Sequence, residues 1–151
     1  MKNREEEFIQ SWDLVESNNS KEITPLRSKI LDLVKEMRNR GFDKTLRVGT
    51  SMYDLVLSKH ELWSGKSFIR FCFTDIFSLM NSQKAIEKLK GSELITAEEY
   101  QEFQKKMEGK STDHVKIGVF LQGKTEEFTS EIKYTPEIES LLQRLEKEEI
   151  D

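Results

Sequence analysis

The chain has 151 residues, with 24 Lys and Arg against 28 Asp and Glu and a net charge of −4. One domain accounts for this length, and the apolar content of 36% is enough to close a core without staples. The single cysteine excludes an intrachain disulfide framework and points to a reducing, cytoplasmic compartment. No apolar run approaches the ~18 residues of a membrane helix, so no membrane partner is expected. The opening stretch MKNREEEF has no signal-peptide core.

The first predicted helix covers about 4–17. Asn3 caps it, Glu5, Glu6 and Glu7 complement the positive end of its dipole, and Phe8, Trp12 and Val15 form its apolar stripe. The polar run at 17–20 ends it. That stripe can pack on its own domain or reach a second subunit. Residues 1–20 are therefore read as a loosely attached helix, with Phe8 and Trp12 as candidate interaction residues.

Thr24-Pro25 opens a second helix, about 25–40. Threonine caps it, and proline fits the first turn, where its missing N–H is not needed. Leu26, Ile30, Leu33, Val34 and Met37 share one face, and Gly41 supplies a left-handed stop. A short strand is expected at 45–48. Gly49 then marks a turn, and Ser51 with Asp54 suggests a capping box for a short helix at about 51–60, with a strand as the other reading. Residues 67–73 read as a strand with Ile69, Phe71 and Phe73 on the core face.

Two further helices follow. Ser82 caps one carrying Ala85, Ile86 and Leu89, stopped by Gly91. Thr96 caps another carrying Tyr100, Phe103 and Met107, stopped by Gly109. The Leu-rich turn at 84–91 is followed by Ile95-Thr96 and two acids shortly before Tyr100. Residues 84–107 thereby resemble the SHOCT-type short helical hairpin. The resemblance implies an interaction role and not catalysis.

Val115, Ile117, Val119 and Leu121 alternate with more polar positions, and Gly123-Lys124 reads as a two-residue turn. Pairing outward from it sets Val119 opposite Phe128, Val115 opposite Ile132 and Lys116 opposite Glu131. Thr135-Pro136 opens the last helix, about 136–149, with Ile138, Leu141, Leu142 and Leu145 on one face. Linkers are expected at 17–23, 60–66 and 109–113. The fold class is α+β: a three- to four-stranded antiparallel sheet with helices packed mainly on one face, in one domain spanning 1–151.

Little catalytic chemistry is legible. Cys72, His60 and His114 have no chelating spacing, so no metal and no cofactor is expected. Cys72 lies inside a predicted strand. Arg70 shares its face and is the one feature that would lower a thiol pKa there. Asp113-His114 reads as an oriented base or, more simply, as a solvated strand entry with His114 facing Lys133. His60 reads as a helix-end residue that satisfies the last carbonyls. Gly49-Thr50-Ser51 before a helix start offers backbone N–H groups to an anion, or an ordinary cap.

Residues 27–47 hold seven basic side chains, Arg27, Lys29, Lys35, Arg38, Arg40, Lys44 and Arg47, against Asp32, Glu36 and Asp43. Phe42 is the aromatic among them. This stripe suggests nucleic-acid binding or a solvated flank held by i,i+3 and i,i+4 pairs. Phe120, opposite in face to Val119 and Leu121, is a candidate contact aromatic. The balance favours a non-catalytic intracellular interaction or regulatory module, its partner another protein or a second copy. A nucleic-acid-associated protein is the alternative. A small enzyme using Cys72 or His114 is the third reading.

Overall fold

The computed structural model describes residues 3–22, 24–107 and 112–148. The predicted stop at Gly109 and the last residue of the predicted 136–149 helix lie outside them. The element order is α1 (Arg4–Ser20), α2 (Pro25–Asn39), α3 (Phe42–Thr45), β1 (Arg47–Ser51), β2 (Asp54–Ser58), β3 (Phe68–Phe71), α4 (Phe73–Leu89), α5 (Ala97–Met107), β4 (His114–Leu121), β5 (Lys124–Glu131) and α6 (Pro136–Glu146). The class is α+β. The sheet has five strands, one or two more than expected, all antiparallel and in the order β1-β2-β3-β4-β5.

Strand alternation sends Val48, Leu55, Leu57, Ile69, Phe71, Val115, Ile117, Val119 and Leu121 to one face. There they meet Trp12 and Val15 of α1, the α2 stripe from Leu26 to Met37, and Ile138, Leu141, Leu142 and Leu145 of α6 in one continuous core. Thr24 and Thr135 cap their helices as the sequence suggests, accepting from Arg27 N and Ile138 N.

The first helix is not loosely attached. Phe8 and Trp12 are 2% and 0% exposed, and Trp12 Nε1 donates to the Leu46 carbonyl at 2.9 Å. Ser11 Oγ accepts from Val48 N at 3.0 Å, so α1 closes the outer edge of β1. These two aromatics hold their own fold together and are not on offer to a partner.

Three local expectations are corrected. The Ser51–Leu57 stretch is not a helix: β1 turns at Met52-Tyr53 into β2, whose five residues are all buried. A strand covered on both faces loses its period-2 signature, which is why a helical reading fitted equally well. The helix expected from Ser82 starts at Phe73. Phe73 is buried, but as the first residue of α4 and not as a strand residue.

The β4–β5 turn is Gln122-Gly123, with φ of 53° and 80°, and not Gly123-Lys124. Two residues of positive φ match the twist of a tight hairpin. The register accordingly differs by two residues, with Val119 opposite Glu126, Val115 opposite Ser130, Lys116 opposite Thr129 and Ile117 opposite Phe128. A two-residue shift leaves every side chain on its own face, so hydrophobic patterning alone does not detect it.

Trp12→Ala is expected to lower unfolding free energy by about 3–5 kcal/mol through the cavity it leaves. Trp12→Phe is expected to cost about 1–3 kcal/mol, because the Leu46 carbonyl loses its donor. Urea unfolding of both variants measures this, and a wild-type midpoint for Trp12→Ala would contradict the packing of α1.

Candidate functional site

The other face of the sheet carries Asp54, Val56 and Ser58 of β2, Phe68 and Arg70 of β3, and Lys116, Gly118 and Phe120 of β4. At one end the 59–67 loop folds back, with Leu62 so close to Gly49 that a Cβ there would sit 2.3 Å from Leu62 Cδ1. Phe68 and Phe120 stack with ring centroids 5.6 Å apart. Val56, Leu62, Trp63 and Phe68, with Arg70 at the rim, line a cavity of about 140 Å³. Phe120 is thus half-buried against Phe68 and not a lone exposed aromatic. Trp63, which the sequence reading left in a linker, is 65% exposed at a φ of 66°.

In the middle of this face Asp54 is almost fully buried and pairs with Arg70 Nε at 2.8 Å. Its second oxygen accepts from Thr74 N at 2.7 Å. Asp54 therefore caps α4 from another strand, in place of Cys72, whose side chain makes no cap. Arg70 is the guanidinium expected beside Cys72, but Asp54 claims it.

At the far end, Cys72, Asp75, Ile76, Leu79, Met107, His114, Lys116 and Thr129 line a cleft of about 550 Å³. Cys72, His114 and an acid do therefore border one cleft, which the sequence did not announce. Its electrostatics are wrong for a nucleophile. Burial and then the Asp54 carboxylate push the Cys72 thiol up, outweighing Arg70 and Lys116. A raised thiol leaves less thiolate to act as a nucleophile. His114 sits opposite Glu131 in the ladder and not Lys133. His60 follows a strand, not a helix. It is 8% exposed, and its N–H donates to Ser58 Oγ. Gly49-Thr50-Ser51 is the end of β1, with no helix start to hold an anion. Among the described residues no cluster of three or more His, Cys, Asp or Glu is placed to hold a metal, and no helix is long and apolar enough to cross a membrane.

The basic segment is largely occupied within the chain. Arg38 is shared by Asp13, Glu16 and Asp43 at 2.9, 3.4 and 3.1 Å, tying α1, α2 and α3 together. Arg40 bonds Glu36 and Glu139 and covers the Tyr134 ring. Arg47 meets Glu61 and lies over Phe8, and Lys29 meets Asp113. Arg27 lies over the stacked rings of Tyr53 and Phe77. Lys35 and Lys44 do not form a stripe by themselves. This arrangement offers phosphates few uncommitted guanidinium groups.

The helical hairpin is the least absorbed part of the fold. None of the residues of α5 is buried. Tyr100, Phe103 and Met107 lie along one side, half-buried at most, and with Gln83, Ile86 and Glu87 of α4 they border an open groove of about 580 Å³. Tyr100 donates to Glu87, Lys90 lies over its ring, and Leu94 between the helices is 79% exposed. Thr96 caps α5, accepting from Glu99 N at 3.1 Å. Met107 also lines the Cys72 cleft, so the two hollows adjoin. Comparison with known protein families, curated proteins and solved structures finds no match for the chain.

Two predictions follow from this geometry. Asp54→Asn should destabilise the fold by about 2 kcal/mol, because Arg70 loses its counter-charge in a mostly enclosed site. The same variant should move the Cys72 titration downward, read as faster alkylation at a fixed alkaline pH. Unchanged alkylation would remove Asp54 as a cause of the raised thiol. Separately, burial and the neighbouring Glu139 push the Tyr134 hydroxyl up to about 12. Its pKa is higher in the folded than in the unfolded chain. The stability linked to it is full below the ordinary tyrosine value and is lost as pH rises toward 12. Ultraviolet titration of wild type against Tyr134→Phe should show one late-ionising tyrosine missing from the variant.

Proposed function

We propose that the chain is a non-catalytic module that binds another protein through its α4–α5 hairpin. The observation that carries this reading is α5 itself. It is amphipathic and well capped, yet its stripe of Tyr100, Phe103 and Met107 enters no core. An isolated helix of this length is marginal in water, and its apolar face stabilises it only when something covers that face. The groove beside it is long, open and bounded by two helices, a shape that receives an amphipathic helix of a partner with apolar anchors at helical spacing. The resemblance of 84–107 to the SHOCT-type hairpin points the same way. The raised Cys72 thiol and the committed arginines give the catalytic and nucleic-acid readings less support.

Phe103 lies outside the core, so Phe103→Asp should leave the thermal melt within about 2 °C of wild type. A photo-crosslinking residue at 103 should capture one partner from the native extract, and the same residue at Lys35 should not. The purified partner should then bind the wild-type chain directly and bind Phe103→Asp at least about tenfold more weakly. Equal binding by the two chains, or no capture specific to position 103, would reject this reading.

A further inference from the structure

The 59–66 loop brings a second set of charges together, away from the hairpin groove. Arg4 of α1, Arg47 of β1, and Lys59, His60 and Lys66 of the loop line one hollow of about 230 Å³, with Ser64 and Glu61 as its other walls. Arg4, Arg47, Lys59 and Lys66 bring four positive charges to the hollow and Glu61 one negative charge, with Arg47 paired to Glu61 and Lys66 also engaged, in a chain that carries −4. Gathering like charges around a partly enclosed space raises the energy of the empty site, and a bound anion lowers it.

The groups come from three separate segments, and each is positioned by the fold. Arg47 is 15% exposed; it lies over Phe8 at 4.8 Å and reaches Glu61 with Nη1 at 3.3 Å. Its Nε is fully buried and has no acceptor among the described residues. A buried guanidinium N–H without an acceptor costs stability, and an oxyanion supplies that acceptor only once the Arg47 side chain turns toward the hollow. Glu61 is 80% exposed and free to swing away when a stronger anion arrives. Lys59 is held near the hollow by its bond to the Glu146 carbonyl, which leaves its charge uncancelled by that bond. His60, which also borders the hollow, is held by the Ser58 hydroxyl through its backbone N–H.

We propose that this hollow is a binding site for a small phosphate-bearing anion, either orthophosphate or the phosphate end of a small ester. Arg47 gives the forked, directional contact, Arg4 and Lys66 close the rim as charges, and the Ser64 hydroxyl adds a neutral donor. The volume suits one phosphate group with a short substituent. A nucleic-acid backbone, which needs an extended row of such contacts, does not fit.

The test is a titration of the whole chain with sodium phosphate, followed by amide chemical shifts. Sodium chloride at matched ionic strength is the control, and glycerol phosphate is a third arm. A saturable response centred on 4, 47 and 59–66, with Kd of about 1 mM or tighter, is expected for phosphate and not for chloride. Arg4→Gln and Lys66→Gln lie at the exposed rim, so they should fold normally and each weaken binding by at least about fivefold. Arg47→Lys keeps the charge and removes the fork, and should weaken it more. Glycerol phosphate binding as tightly as phosphate assigns the site to an ester; phosphate binding alone assigns it to the free ion. A non-saturating response, an equal response to chloride, or wild-type affinity in both rim variants would overturn the proposal.

Discussion

The buried carboxylate of Asp54 is the joint on which the open side of this sheet depends. It stands at the start of β2, neutralises Arg70 on β3, and accepts from the Thr74 N–H in the first turn of α4. One side chain of β2 thereby ties down both β3 and the start of α4. A helix leaving a strand with no cap of its own would fray, and Cys72 provides none. Burial is the larger cause of the raised Cys72 thiol, and the same carboxylate adds its negative field to it against the opposing Arg70.

The helix-covered face was legible in the sequence for physical reasons. Trp12, the α2 stripe and the α6 stripe recur at helical spacing, and Thr24-Pro25 and Thr135-Pro136 leave little freedom in where those helices begin. The alternation from Val115 to Leu121 identified a strand with one wet face. What was hidden depends on contacts between distant segments. Nothing local tells Asp54 that its partner is Thr74 and not its own helix. Nothing in the alternation of β4 and β5 separates the register found from one displaced by two residues. The deciding term is the positive φ of Gln122, a residue with no strong preference for that region.

The basic segment shows why composition misleads about surfaces. Seven positive side chains in twenty-one positions look like a patch on paper. In the fold Arg38 turns inward toward three acids, and Arg40 lies between Glu36, Glu139 and a tyrosine ring. Arginine suits both tasks because its planar fork satisfies carboxylates and stacks on aromatics. The hollow at 59–66 went unnoticed for the complementary reason. Its members lie at 4, 47, 59, 60 and 66, too scattered to register as a cluster, and become one only when α1 is drawn over the edge of β1.

Two features carry costs that the fold does not need for its own stability. Trp63 and Met52 are large, exposed and apolar, and both sit at positive φ, where a side chain pays about 1 kcal/mol or more against the backbone. Glycine at either position would be easier for the turn. The stripe of α5 leaves apolar area in water that a shorter connection between β3 and β4 would not create. Antiparallel neighbours need only a short turn, yet here two helices are inserted. The insertion adds little to the core, since the residues of α4 that reach it lie in its first half and those of α5 do not reach it at all. A segment that lowers the free energy of folding so little gives the proposed contact role of the hairpin more support than the cleft beside it receives.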